Sequence, residues 1–439
     1  MAAHLAGRAL RLLVVVALMA PVALIVTPAQ ADDGPTDRAD IFITKDREFN
    51  PANGVRSGSG TASDPYVISG WNVSQLYIAD TSKAVVIRDN VITGQLVLNW
   101  NGPSVTLVHN QIGDLRVNQN VTRTGDPTSG YIGHNVFGLV GQLRHFDGDF
   151  EHNVVKGTDD VFAQLTAPFD QQAVQFDGFN GSHFRDNEIY GWVEARLHGH
   201  HHSSGYGETS HYHGADMAHH DMDSMVDHTD RWHQVFITGN EIHVDGPWAL
   251  IYTDTNHAAN DRTAASEDNE ALNEPHVHHT RAYMHDNTLV GGGLYVDVFN
   301  ADDENHLGTA RGLMDIRNNK ITLARPTTSM PWEQSNGIYV WQAKDITLNV
   351  VGNSVVAEAA EDRTPVEDQF LRDAGVMLQT IRDADIFIRD NTVANSFYGV
   401  LGSDMSKNVN WTIAGLKTQA VTYPVYYDNS VANQPKRQD

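Results

Sequence analysis

One short phrase recurs ten times along this chain: two apolar residues with one between them, two linking residues, an asparagine, and an apolar residue two places on. Its first clear instance is Val85-Val86-Ile87-Arg88-Asp89-Asn90-Val91-Ile92. The later asparagines are Asn110, Asn135, Asn153, Asn187, Asn240, Asn287, Asn319, Asn353 and Asn391. A repeat of roughly 18 to 25 residues, built on alternation and closed by one polar turn residue, marks a solenoid of stacked strands.

Residues five and three before each asparagine share a face, because side chains alternate along a strand. They read Val85/Ile87, Val105/Leu107, Val235/Ile237, Ala282/Met284, Met314/Ile316, Leu348/Val350 and Ile386/Ile388. Three repeats place a small residue first, Gly130/Ile132, Gly148/Phe150 and Ser182/Phe184, so a neighbour must fill their inner layer. One such strand cannot bury its apolar face alone, whereas coils stacked at about 4.8 Å share a continuous core. The asparagine suits the turn because it tolerates left-handed backbone and because its amide can bond the equivalent amide one coil away. Further apolar segments, such as Gly337-Ile338-Tyr339-Val340-Trp341 and Gly375-Val376-Met377-Leu378-Gln379, give two or three strands per turn. The expected architecture is an all-β, single-stranded parallel β-helix.

The ends of the chain carry different signals. Arg8 and Arg11 precede the apolar run Leu12 to Val26, and Ala29-Gln30-Ala31 supplies small residues for signal peptidase, so residues 1–31 read as a secretory signal. The run is short for a membrane span and is broken by Pro21. The domain assignment is then a β-helix over 32–430 and a tail over 431–439. The expected product is secreted, monomeric and not membrane-anchored. With no cysteine there are no disulfides or thiolate ligands, so stacking must supply stability. Loss of the leader removes two arginines and no acid, taking the formal charge from −25 to about −27. Such a surface excludes nucleic acid as a partner and attracts cations.

The spacing between asparagines widens after Asn187, Asn240 and Asn287, which places insertions at about 199–232, 256–280 and 299–310. Each follows an equivalent strand, so all three should leave one edge of the stack and form one lobe, where long loops carry function. Ten of the 23 histidines fall between residues 198 and 233: His198, His200, His201, His202, His211, His213, His219, His220, His228 and His233, with Asp221 among them. His257, His276 and His278 follow in the second insertion. Imidazole with neighbouring carboxylates suits zinc or copper, and Met217, Met222 and Met225 resemble the Met-Asp-His tracts of extracytoplasmic copper-resistance proteins. This set is the expected metal site.

Alternation also predicts an outward array on the second strands, those that precede the asparagine phrase: Asp177, Glu194, Arg196, then Tyr252 and Asp254, Tyr295 and Asp297, Tyr339 and Trp341. The four rings would bind sugar by stacking, and Asp254 and Asp297, about 5 Å apart on successive coils, match the carboxylate separation of retaining glycosidases. With Asp177, Glu194 and Arg196 they are the candidate catalytic residues. A lyase would need a base such as Arg196 or a nearby histidine.

The segment Gly58-Ser59-Gly60-Thr61-Ala62-Ser63-Asp64-Pro65-Tyr66-Val67-Ile68-Ser69-Gly70-Trp71, together with the asparagine repeats, resembles right-handed parallel β-helix proteins of the pectin-lyase-like superfamily, especially the repeat shared by carbohydrate-binding proteins and sugar hydrolases. The resemblance implies a right-handed coil and admits polysaccharide lyases, which can use calcium, glycoside hydrolases, and periplasmic copper-binding proteins. No catalytic motif of pectate lyases or polygalacturonases is present to carry across. Two functions therefore stand: a secreted metal-binding solenoid, or a polysaccharide lyase or glycoside hydrolase acting in a groove on its face.

Overall fold

A computed structural model describes residues 34–99, 104–118, 129–157, 172–178, 182–198, 232–244, 248–255, 279–298, 312–324, 336–358, 373–406 and 408–438. Each regular coil has three strands, and each strand pairs in parallel with the equivalent strand one coil on. One complete coil comprises His279–His285, Thr288–Gly291 and Gly293–Val298. The first strand of a coil leads into the repeated asparagine, the short second strand follows it, and the third completes the turn. Stacked first, second and third strands form three faces of an all-β solenoid. Short 3-10 turns occur at Asp46–Glu48 and Pro51–Asn53, and the described residues contain no α-helix.

The seven inner pairs that begin with an apolar side chain, from Val85/Ile87 to Ile386/Ile388, are all buried, and each larger aliphatic side chain among them contributes roughly 1.5 to 3 kcal/mol. Where the first inner residue is small, phenylalanines occupy the volume. Phe150 stacks on Phe184 at 5.1 Å between ring centroids, and Phe184 meets Phe176 at 5.2 Å. The smallness has its own cause at Gly148, where a Cβ would lie 2.1 Å from the carbonyl oxygen of Gly130.

The ten asparagines are buried and joined into one chain of amides. Asn240 shows the pattern. Its Nδ2 donates to Asn287 Oδ1 at 3.0 Å and to the Phe184 carbonyl at 2.9 Å. Its Oδ1 accepts from the backbone N–H of Asn187 at 3.1 Å and from Asn187 Nδ2 at 2.9 Å. The left-handed backbone, however, belongs to the preceding residue and not to the asparagine. Asp89, His109, His134, His152, Asp186, Gly239, Asp286, Asn318, Gly352 and Asp390 all have φ between +53° and +68°. Turning the chain there aims the asparagine inward and leaves its predecessor facing out. Asp, Asn, His and Gly recur because they accept that conformation most readily.

At the start of the solenoid, Val55–Ser57 and Tyr66–Ser69 form an antiparallel pair. Gly58 has φ +95° and a Cβ there would fall 1.9 Å from the Pro65 carbonyl oxygen, so the hairpin requires glycine. At the far end Lys436–Gln438 pairs with Asn410–Ala414, within the stretch read from sequence as a tail. These coils lie in the unit Pro35–Asp439, and residues 1–33, which include the signal-like 1–31, lie outside the described residues.

Asn240→Ala removes a fully bonded buried amide and strands the amide groups of Asn187. The expected loss is about 3 kcal/mol of unfolding free energy in a denaturant titration, larger than for an exposed substitution such as Val356→Thr.

Candidate functional site

The third strands bounding the three insertions end together. Leu197 pairs with Asp254 and Asp254 with Val298, while His198 pairs with Thr255. The next first strands also begin together, with Trp232 opposite His279 and Thr280 opposite Gly312. Chain therefore leaves and re-enters the stack at adjoining positions three times in succession. His200, His201, His202, His211, His213, His219, His220, Asp221, His228, His257, His276 and His278 lie outside the described residues. His198 and His233 sit on strands Trp192–His198 and Trp232–Thr238, their side chains outside the described residues. Among the described residues no group of three or more His, Asp or Glu is arranged to hold a metal.

On the outward side of the third sheet two columns are set by register. One runs Gln175, Glu194, Ile251, Tyr295, Tyr339, Met377, Leu401; the other runs Asp177, Arg196, Thr253, Asp297, Trp341, Gln379, Ser403. Tyr295, Tyr339, Trp341 and Asp297 thus occupy adjoining coils, as expected. Tyr252 does not join them. It is fully buried in the core and pairs with Val296, and Ile251 takes the place expected for it. The cause is a register shift between Trp248 and Leu250, where one extra residue is absorbed and the phase of the strand reverses. The same shift separates the two aspartates: Asp297 faces Thr253, and Asp254 faces Val298. The close carboxylate pair expected of a retaining glycosidase is absent from this register. Asp177 and Arg196 keep their column by backbone register, with side chains outside the described residues, and Glu194 is half-exposed.

Around Asp297 the surface is aromatic. Tyr295 packs edge-on against Tyr339 at 5.2 Å between centroids, tilts against Trp248 at 5.1 Å and lies 6.4 Å from Trp341. The Tyr339 hydroxyl donates to Gln379 Oε1. Asp297 Oδ1 is buried without a hydrogen-bond partner among the described residues. Burial pushes the Asp297 carboxyl up to about 6, because the charged form loses its water. Burial also raises the Tyr339 phenol to about 12, helped by the negative charge of Asp297, and moves the Tyr295 phenol up for the same reasons in the same order. Such a carboxyl can hold a proton near neutral pH and give it to an oxygen placed against it. Trp248 and Gln379 were missed by sequence reasoning; aligning the inward pair Val340 and Leu378 would have shown that Gln379 follows Trp341 in the column.

No known protein family, curated protein or solved structure matches the chain.

Because the folded state holds the Asp297 proton more tightly than the unfolded chain, stability is full below about pH 4 and falls as pH rises through about 6. Asp297→Asn should therefore be more stable than the parent at pH 7.5, by about 1 to 2 kcal/mol after solvent screening, and nearly equal to it at pH 4. Paired denaturant titrations at the two pH values measure this.

Proposed function

We propose that this chain is an extracytoplasmic β-helix protein, right-handed and pectin-lyase-like, that binds a polysaccharide along the outward face of its third sheet and cleaves it with Asp297 as general acid. One observation carries the reading: a carboxyl with a buried oxygen unpartnered among the described residues, its proton affinity raised, set among rings contributed by adjoining coils. Tyr295, Tyr339 and Trp341 offer apolar surface on which sugar faces stack, while Tyr and Trp retain a polar edge for hydroxyl groups. Asp297, neutral below about pH 6, protonates the oxygen of the departing sugar. Glu194, two coils away in the neighbouring column, serves as the base that activates water. At the spacing of stacked strands its Cα lies about 12 Å from that of Asp297, which suits the wider carboxylate separation of inverting hydrolysis. The secretory leader read from Arg8 to Ala31 supports an extracytoplasmic location, and the Gly58–Trp71 resemblance supports the coil hand.

Screening glycans for new reducing ends and for unsaturated products separates hydrolysis from elimination. Asp297→Asn should lower turnover by about 100-fold or more while leaving binding intact. Trp341→Ala should weaken binding by about three- to tenfold. Failure of every glycan to bind would end this reading.

A second reading, capture of zinc or copper by the tract from His198 to His233 with His257, His276 and His278, is favoured by the shared register of the strands that bound the insertions. Calorimetry should record tight zinc or copper uptake by the purified chain. Most of that heat should vanish when residues 199–231 are replaced by a Gly/Ser linker; an unchanged titration would refute it.

A further inference from the structure

Charge on the third sheet limits the kind of glycan that Asp297 can accept. Between Gln175 and Ser403 the two outward columns hold the acids Asp177, Glu194 and Asp297, and Arg196 is their one basic residue. Arg196 stands two coils from Asp297, with Asp177 next to it in the column and Glu194 two residues before it on its own strand. Where later third strands end, Arg382 donates to both carboxylate oxygens of Asp404 at 2.9 and 3.0 Å, and the charge of Lys344 falls on Asp345. The insertions at 199–232, 256–280 and 299–310, which follow third strands, add 14 acidic residues against Arg231 and Arg262, and no lysine. The field over this sheet therefore favours cations and opposes anions.

We propose that the glycan taken up at Asp297 is built from uncharged sugars, and that uronate and sulfated polymers are rejected; this rests on the polysaccharide reading above. Hydrogen bonding gives a reason beyond the field. Asp297 Oδ1 is buried and accepts from no donor among the described residues. A sugar hydroxyl can donate to it, whereas a uronate carboxylate or a sulfate ester brings acceptors alone. The Tyr339 hydroxyl, a donor that an anion could use, is already given to Gln379 Oε1. Poor hydration is the last reason. Burial raises the proton affinity of Asp297, and burial first and the Asp297 charge second raise the phenols of Tyr295 and Tyr339. A second negative charge among these rings would meet the first with little water to screen it. Neutral pyranose faces, by contrast, match the apolar surface of Tyr295, Tyr339 and Trp341.

Binding isotherms of the full-length protein test this at about pH 7.5, where Asp297 is ionised and ordinary histidines are neutral. The probes are soluble glucans, mannans and galactans, each beside the same polymer with its primary hydroxyls oxidised to carboxylates. A neutral polymer that binds should lose about tenfold or more in affinity on oxidation, in chelator and in about 1 mM calcium alike. Asp297→Asn, shown to be folded by its melting curve, should recover about three- to tenfold of the affinity for the oxidised polymer and leave that for its neutral parent unchanged. An oxidised polymer, or polygalacturonate, bound as tightly as the best neutral one would overturn the inference and leave the polysaccharide reading in place. An unchanged ratio of the two affinities in Asp297→Asn would overturn it as well. Binding of no polymer, neutral or oxidised, would end both.

Discussion

The buried amide chain from Asn90 to Asn391 is the interaction on which the rest of this solenoid depends. Each rung donates to the asparagine ahead and to a backbone carbonyl behind, and its own oxygen is used by the previous rung. Buried amides without partners are destabilising by roughly 1 to 3 kcal/mol each, so one coil cannot slip against the next without breaking a rung and turning its apolar face outward. Register fixed in this way converts sequence positions far apart into vertical neighbours. Asn187 and Asn240 are 53 residues apart and share two hydrogen bonds.

Much of this was legible in the sequence. The asparagine phrase and the inner pairs are local patterns of period two, and the three strands that precede the insertions are recognisable from the same alternation. The site on the third sheet was legible only in part. Its parity was judged from polarity, and a tyrosine, apolar in body and polar at the tip, reads equally well inside or outside. The bulge that turns Tyr252 into the core and sets Ile251 in the outward column is a mismatch between Trp248–Thr255 and Gly293–Val298, a property of two coils and not of one. The turn was misjudged by one residue for a related reason. Asparagine does accept left-handed backbone, but here its amide is required inside, so the strained position passes to the residue before it.

That displacement gives the corner its chemistry. Once the left-handed residue must face solvent, the choice narrows to Asp, Asn, His and Gly, and three of these four can donate or accept at the surface. A column filled from so small a set brings like groups together at the spacing of stacked strands, as with His134 above His152 and Asp186 next in line. Ring stacking alone would be satisfied by any planar residues. The carboxylate at the end of the column lies 4.0 Å from His152 Nε2 and is seated over Gly239, which has no side chain to displace it.

The third sheet presents the complementary case, a carboxyl whose solvation is poor. Asp297 destabilises the folded state once ionised, yet a solenoid tolerates such a group because its stability is nearly a sum over neighbouring coils. Gly293–Val298 is paired to Trp248–Thr255 before it and to Ile338–Trp341 after it, while the amide ladder runs along another corner. Long insertions are tolerated for the same reason: lengthening a connection from about 5 to about 33 residues adds under about 2 kcal/mol of closure entropy. Rigid coils and independent corners thus allow an unfavourable acid and an aromatic surface to share one sheet whose strands also lead into long insertions. The tyrosines beside Asp297 then act on it twice, removing water from its charged form and supplying the surface against which a sugar ring would rest.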